Sequence, residues 1–562
     1  MSLYAWSEWN PQAVRAQSIT RSPDMRIGLD LDNTIVCYDE VFQFIAKDLG
    51  LVSETWKGGK SRVRSELWSR PGGELAWQRL QGQAYGKYMH RATLFPGVGN
   101  FLIRTKVRGD KVFIVSHKTE FGHHDSEQIP LRREALHWMC NHRFFDQTGF
   151  GLSEEDVFFE SSRKAKIRKI AELDCDIFID DLREVFAEPS FPDSTRKILF
   201  GKQKVETDDA YKFTLISTSW RDISEDLLNP ESDAEIKAQI DFAARGPTES
   251  WSPVEGRANS RVFKVEQGSH TFAAKFYPDV ALDPRDRLGA EAIACEFLET
   301  QGCSSSLRVV CTAPELNVGL YEWIEGIKVA DVRDSDIQQA LEFVKMLHRA
   351  CDTASAAQLP FASEACLSEK DIWNQIERKR CKLNQVLDKS PELGKFLLEQ
   401  FDPFLTELRV VSRSLFPHRD RFVRLPVRHQ TLSASDFGFH NAIRKPDNSL
   451  KWIDFEYFGW DDPVKLMADF VWHPGFELSE SQILRWQNGC MAIFSKDSDL
   501  PDRFRQHFPL YGMRWCLILL NTFFQSEIEQ HSMGQARLEK ARSYLLAVQE
   551  IFSAAGNPAQ ER

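Results

Sequence analysis

Two sets of residues stand in this chain at spacings that suit phosphoryl transfer, and they are of unrelated kinds. The first opens with Asp30-Leu31-Asp32-Asn33-Thr34 and closes with Asp180-Asp181; the second runs from Lys275 through Asp436 and Asn441 to Asp454. A carboxylate that attacks phosphorus needs a cation to quiet the repulsion between anions. It also needs a second acid for the leaving group and donors for the transferring oxygens. Asp30 is placed to be that nucleophile, Asp32 to protonate the leaving oxygen and then activate water, and Ser116 to donate to the phosphoryl group. Lys166 or Lys164 would add positive charge, and Asp180 and Asp181 with Asp30 offer hard oxygen ligands to Mg²⁺. Moving a phosphate from a nucleotide to a hydroxyl needs other parts: a cover for the triphosphate, a lysine fixed by a carboxylate, a base, and two groups for magnesium. Lys275 lies in the strand-like run Phe272 to Phe276, and its expected partner is Glu291 in the helical stretch Arg287 to Leu298, in preference to Glu296. Gly256-Arg257-Ala258-Asn259-Ser260 is the candidate phosphate cover.

Those residues must be held by particular elements. From Met25 to about Ser219, the apolar runs Ile27-Gly28-Leu29, Val112 to Val115, Ile177-Phe178-Ile179 and Ile198-Leu199-Phe200 alternate with helical patterns. Such alternation predicts a parallel sheet covered by helices. Asp30, Ser116 and Asp180 directly follow three of the runs, at the carboxyl ends where open α/β sheets bind ligands. Residues 39–93 read as a helical cap inserted after the first strand, broken at Gly58-Gly59 and Pro71-Gly72-Gly73. After Pro253 the pattern becomes strand-like and then, from Val329, mainly helical, with a loop-rich block from His429 to Gly459. The expected divisions are an N-terminal extension 1–24, a first domain 25–225, a partly helical linker 226–252 and a second domain 253–562. The second domain splits into a small lobe 253–326 and a helical lobe 327–562.

Length and composition agree. A chain of 562 residues exceeds what one hydrophobic core supports, and 42% hydrophobic with 27% charged residues describes a globular protein. The net charge of −11 argues against a nucleic-acid or acidic-membrane binder. Eleven cysteines without a Cys-x-x-Cys pair suit reduced thiols rather than zinc. The N-terminus lacks a secretory pattern, and the most apolar stretch, Cys516 to Phe524, is too short to span a bilayer, so a cytoplasmic location is expected. His123, His124 and Asp125 read as a polar loop more than a metal site. Gly59-Lys60-Ser61 mimics the end of a Walker loop, but Glu54 stands where its first glycine is needed.

The first ordered set resembles the haloacid dehalogenase (HAD) superfamily of phosphatases, over roughly Met25 to Ser219. That resemblance implies an α/β Rossmann-like domain with a small helical cap, Asp30 as phospho-accepting nucleophile and Asp32 as acid/base. It assigns Thr34, Ser116 and a lysine to the phosphate, and Asp30, Asp32, Asp180 and Asp181 to the magnesium site. Lys166 is preferred over Lys164 because Ile167, Ile170 and Leu173 set it beside a buried stripe. The second set, Asp436, Asn441 five residues later and Trp452-Ile453-Asp454-Phe455-Glu456, resembles the aminoglycoside phosphotransferase and choline kinase-like group from roughly Pro253 onward. It implies an α+β, protein kinase-like, two-lobed domain in which Asp436 orients and deprotonates the acceptor and Asn441 and Asp454 bind Mg²⁺. Lys275 and Glu291 would serve ATP, with Tyr321 and Glu322 in the hinge that receives the base. Ala434-Ser435-Asp436 replaces the group's usual His-Gly-Asp, and Asp461-Asp462-Pro463 with Asp469 is expected to brace the loop. The combined expectation is a bifunctional, Mg²⁺-dependent phosphatase and ATP-dependent kinase acting on a sugar, polyol or amino-alcohol phosphate in consecutive steps. The competing expectation is a phosphatase joined to a non-catalytic, ligand-binding kinase-like domain that serves as sensor or scaffold.

Overall fold

The computed structural model describes residues 24–122, 127–201, 213–254, 260–415, 422–524 and 527–555. Its first part comprises β1 (Arg26–Leu29), β2 (Val36–Cys37), α1 (Asp39–Asp48), α2 (Lys60–Trp68), α3 (Gly73–Tyr85), β3 (Thr93–Leu94) and α4 (Val98–Arg108). There follow β4 (Lys111–His117), α5 (Leu131–Asn141), β5 (Val157–Glu160), α6 (Arg163–Glu172), β6 (Ile177–Asp180), α7 (Arg183–Phe186), β7 (Arg196–Phe200) and β8 (Leu215–Ser217). Six of these strands form one parallel sheet in the order β5-β4-β1-β6-β7-β8. Its strands are buried on both faces, as helices on both sides require. Ile27, Leu29, Ile114, Ile179 and Ile198 point into one core, and Phe113, Val115, Phe178 and Leu199 into another. Leu29 is level with Ile114 on one side and Ile179 on the other, so Asp30, Ser116 and Asp180 leave the sheet at one edge, beside the point where the strand order reverses. The expected strands are all present, and β5 and β8, which carry weaker apolar runs, complete the sheet.

Helices α1 to α3 form the insert over that edge. Val41, Phe42, Ile45 and Ala46 give α1 one buried face, and Phe42 stacks on Trp77 of α3 with centroids 5.0 Å apart. The β2–β3 pair, Val36 opposite Leu94, closes the neck of the insert.

The chain continues through α8 (Trp220–Leu228) and α9 (Asp233–Ala243) into an antiparallel sheet of β9 (Ser250–Pro253), β10 (Arg261–Gln267), β11 (His270–Phe276), β12 (Val309–Ala313) and β13 (Val318–Glu322). Its order is β12-β13-β11-β10-β9, and α10 (Arg287–Thr300) precedes β12 and packs against it. The remainder is mainly helical: α11 (Asp334–Ala350), α12 (Glu369–Leu383), α13 (Pro391–Phe396), α14 (Asp402–Leu415), α15 (Pro463–Trp472), α16 (Glu480–Ile493), α17 (Leu500–Leu519) and α18 (Glu527–Ala555). Five short strands interrupt it: β14 (Ile327–Lys328), β15 (Thr431–Ser433), β16 (Ala442–Arg444), β17 (Leu450–Trp452) and β18 (Gly459–Asp461). Leu510, Met513, Cys516 and Leu517 are fully buried on α17, so the most apolar stretch of the sequence belongs to the core. Among the described residues no helix is long and apolar enough to cross a membrane. All eleven cysteines are free thiols.

Residues 226–252, expected as a linker, are a wedge between the two parts. Ser232 and Glu235 form a capping box at the start of α9, which packs on α4 of the first part and on β12 and β13 of the second. The fully buried Glu235 carboxylate accepts from Arg104 at 3.0 Å and from Arg108 at 2.5 Å, and both arginines also donate to the Leu228 carbonyl. Phe101, Trp220, Ile240 and Phe242 share one continuous core with Phe263, Phe276, Leu316 and Val318. At Gly99 on α4 a Cβ would lie 2.1 Å from the Glu315 carbonyl oxygen, so the two parts meet backbone to backbone. Gly99→Val should therefore force them apart and destabilise the whole chain by about 1–3 kcal/mol. Gly394→Ala, in a helix with nothing within 4 Å of the new methyl, should be neutral or stabilising. Thermal melting of the full chain checks both.

Candidate active sites

The first site is built at the mouth of β1, β4 and β6. Lys166, from the first turn of α6, is only 1% exposed and donates to Asp30 at 2.5 Å and to Asp180 at 2.6 Å. Lys164 is exposed on the same helix. Carboxylate oxygens of Asp30, Asp180 and Asp181 lie within 4.8 Å of one another, a donor set that suits a hard divalent cation such as Mg²⁺. Burial, opposed by Lys166 but reinforced by Asp180 and Asp32, raises Asp30 to about 7. Burial, with Asp30 and Asp180 beside it, also holds Asp181 well above the usual carboxylate range. A bound cation would relieve that repulsion. Thr34 is fully buried, its hydroxyl has no hydrogen-bond partner, and its carbonyl accepts from Trp220 Nε1 at 2.9 Å. Ser116 is buried at the end of β4.

Asp32, expected in the metal shell as well as in acid/base chemistry, has its carboxylate outside that three-carboxylate cluster. Both its oxygens accept from Lys118, at 2.9 and 2.7 Å, and Oδ1 also accepts from Tyr38 at 2.6 Å. Burial alone would raise its pKa, but Lys118 and these hydrogen bonds outweigh burial and lower it. Lys118 directly follows β4, whereas Tyr38 and Lys60 come from the insert and have no spacing relation to the strand motifs. His123, His124 and Asp125 lie outside the described residues.

The second site lies between the antiparallel sheet and the helical part. Lys275 on β11 donates to Glu291 of α10 at 2.6 Å and to Asp454 at 2.6 Å, and lies 3.1 Å from Glu456. Desolvation alone would lower its pKa, but Asp454, Glu291 and Glu456 reverse the sign and hold it well above the usual lysine range. Tyr277 donates to Glu291 at 2.5 Å, so the 2.5 Å contact with Tyr321 is a donation from Tyr321 to Tyr277. The phenol of Tyr321 thus braces the Lys275–Glu291 pair, while Glu322 is held by Lys451 at 2.8 Å and Arg308 at 3.1 Å. Phe455 N–H donates to the second Glu291 oxygen at 3.1 Å, which ties α10 to the segment bearing Asp454. Asn441 donates through Nδ2 to the Asp436 carbonyl at 3.0 Å, leaving Oδ1 as its acceptor for a cation. Carboxylate oxygens of Glu291, Asp454 and Glu456 also lie within 4.8 Å of one another. Most of the candidate phosphate cover, residues 256–259, lies outside the described residues.

Asp436 itself is flanked by two histidines. His440 Nε2 is 3.4 Å and His473 Nε2 3.6 Å from its Oδ1, and the two rings stack with centroids 3.6 Å apart. Burial would raise the Asp436 pKa, yet His440 and then His473 push it below the usual range. Ala434 removes a histidine from the loop, and the support comes from elsewhere. Ser435, left-handed at φ 63°, donates to the Ser363 carbonyl at 3.1 Å and accepts from Lys465 at 3.0 Å. Lys465 is pinned by Asp461 at 3.1 Å and Asp469 at 3.2 Å, and Asp462 caps α15 and pairs with Arg503. His440 and His473 were missed because neither stands at a position that the motif marks.

No protein-family model matches the chain, and no curated protein matches it. Solved structures that are similar to it include a spectinomycin phosphotransferase in complex with ADP and spectinomycin, at 12% identity and TM-score 0.40 over 57% of this chain and 99% of that one. Choline kinase LicA from Streptococcus pneumoniae is 16% identical with TM-score 0.38 over 56% of this chain and 98% of its own. A Plasmodium vivax ethanolamine kinase is 15% identical with TM-score 0.36 over 58% and 84%.

Replacing Lys166 by Met would leave Asp30 and Asp180 buried without their shared cation. The metal-free protein should lose about 3–5 kcal/mol. Excess Mg²⁺ should recover part of that loss, so the melting temperature of the variant should depend on Mg²⁺ far more steeply than that of the wild type.

Proposed function

We propose that the chain is a bifunctional phosphoryl-transfer enzyme: a Mg²⁺-dependent HAD-like phosphatase joined to an ATP-dependent small-molecule kinase. The observation that supports the first half most strongly is Lys166 bridging Asp30 and Asp180, residues 136 and 14 positions away in the chain. Asp30 attacks phosphorus in line, and Asp32 relays to the leaving oxygen a proton from the Tyr38 and Lys118 groups that donate to it and then takes a proton from the water that frees the phosphate. Lys166 and the buried donors near Thr34 and Ser116 stabilise the transferring oxygens. Magnesium held by Asp30, Asp180 and Asp181 would neutralise charge on those oxygens.

In the second half, Lys275 fixed by Glu291 holds the donor phosphates, Asp436 orients and accepts the proton of the acceptor hydroxyl, and Asn441 and Asp454 would hold magnesium, which would neutralise charge on those phosphates. These five residues stand on β11, α10 and the segment between β15 and β18. Tyr321 and Glu322 belong to the hinge beside the base. We take the substrates to be sugar, polyol or amino-alcohol phosphates handled in consecutive steps by a cytoplasmic enzyme. A second reading has specific support in Ala434 and in the direct 2.6 Å contact between Lys275 and Asp454: a kinase-like part that binds nucleotide without transferring phosphate.

Asp30→Asn should lower ester hydrolysis by about 100-fold or more, equivalent to ~3 kcal/mol of barrier, and spare ATP consumption. Asp436→Asn should do the reverse. Steady-state assays with a panel of phosphate esters and of ATP acceptors decide this. Retained nucleotide binding with no phosphotransfer in either protein would favour the binding-only reading. Chelation of Mg²⁺ should abolish both activities in the wild type.

A further inference from the structure

Lys60 has no part in either reaction as described, although it lies at the mouth of the first site. Its position is built. The loop before it is pinned to α1 by Gly58 N–H donating to Gln43 at 2.9 Å and Lys60 N–H donating to Asp39 at 2.7 Å. At Gly59 a Cβ would lie 2.4 Å from the Asp39 carboxyl group, so glycine is needed for that approach. The Lys60 ammonium then donates to Asn33 Oδ1 at 2.7 Å and to Tyr85 OH at 2.8 Å, and lies over the rings of Phe42 and Tyr85 at 5.6 and 5.5 Å. Both hydrogen-bond acceptors are neutral. Among the described residues no carboxylate stands at ion-pair distance from it, and Asp181 and Asp32 act on it only from farther away.

An ammonium has three donors, and neutral acceptors do not cancel its charge. Among the described residues Lys60 therefore retains one donor and a full charge. Lys60 belongs to the insert that covers the sheet edge and faces both Asp181 and Asp32, so it meets the part of a substrate that projects from the phosphate toward the insert, whereas Lys166 on α6 holds Asp30 and Asp180. The Asp32 carboxylate is already matched by Lys118, which lies over the same Tyr85 ring at 5.2 Å. A second anion would thus find Lys60 while Asp32 stays paired.

We infer that Lys60 is the receptor for a second anionic group on the substrate, so that the phosphatase site takes a phosphate monoester whose leaving group also carries a carboxylate or a further phosphate. This rests on the phosphatase reading above. It gives the Gly59-Lys60-Ser61 tripeptide, which cannot be a nucleotide loop, a role in anion recognition.

The test uses the full chain with Mg²⁺ and matched esters: glycerol 3-phosphate against 3-phosphoglycerate, glucose 6-phosphate against 6-phosphogluconate, and fructose 6-phosphate against fructose 1,6-bisphosphate. The wild type should favour the more anionic member of at least one pair by about tenfold or more in kcat/KM. The carboxylate pairs and the bisphosphate pair tell the two anions apart. Lys60→Met should lower kcat/KM for the favoured member about 10- to 100-fold more than for its partner, chiefly through KM, as loss of a charge-assisted hydrogen bond predicts. Lys60→Arg should restore part of the preference, which separates lost charge from misfolding. Wild-type indifference to the second anion, or equal losses on both members of each pair, would overturn the inference while leaving the phosphatase intact. Hydrolysis of no ester at all by the wild type would instead overturn the phosphatase reading on which the inference stands.

Discussion

Each site depends on one buried lysine ammonium placed between carboxylates that could not otherwise share a dry space. Lys166 does this for Asp30 and Asp180, and Lys275 for Glu291, Asp454 and Glu456. Carboxylates gathered for phosphoryl transfer repel one another, and desolvation strengthens that repulsion. A lysine on a covering helix or a neighbouring strand therefore does two things. It allows the cluster to exist in a dry space, and it fixes how the carboxylates stand relative to one another.

The two parts of the molecule are joined more closely than a tether would join them. The Glu235 carboxylate holds Arg104 and Arg108, α9 packs on α4 and on β12 and β13, and the backbone of α4 at Gly99 touches that of Glu315. The first parallel sheet, α9 and the second antiparallel sheet form one packed body, and the helical part meets it across Lys275, Arg287 and the segment from Asp454 to Tyr457. Arg287 contributes by bonding Asp283 and Glu456 together, so the start of α10 and the residues after Asp454 are fixed to each other. Any relative movement in the second half is therefore movement of the helical part against a body that includes the first site.

Much of this was legible in residue order. Three apolar runs each followed by Asp or Ser, with a lysine-bearing helix before the last, are enough to place Asp30, Ser116, Lys166 and Asp180 at one sheet edge, because parallel strands end on the same side. The buried stripe of Ile167 and Ile170 also separates Lys166 from Lys164. Less legible were contacts between elements far apart in sequence with no shared periodicity. Tyr38 and Lys118 on Asp32, Tyr277 and Tyr321 behind Glu291, and His440 and His473 beside Asp436 depend on how helices and loops pack. The stretch 226–252 was polar enough to resemble a linker. Its buried carboxylate, Glu235, is instead satisfied by arginines on α4, which local composition cannot reveal.

The sequence by itself determined the chemistry available: which carboxylates, lysines and amides exist, and that short apolar runs carry them to the ends of strands. It did so because strand and helix periodicity and turn positions are local properties. Only the tertiary structure decided which carboxylate each cation holds, that Asp32 is kept apart from Asp30, Asp180 and Asp181, that Lys60 faces the first site, and that the two parts share a core. Those outcomes follow from desolvation and from distances between residues far apart in the chain, such as Lys275 and Asp454, 179 positions from each other. Neither quantity is encoded in any window of the chain.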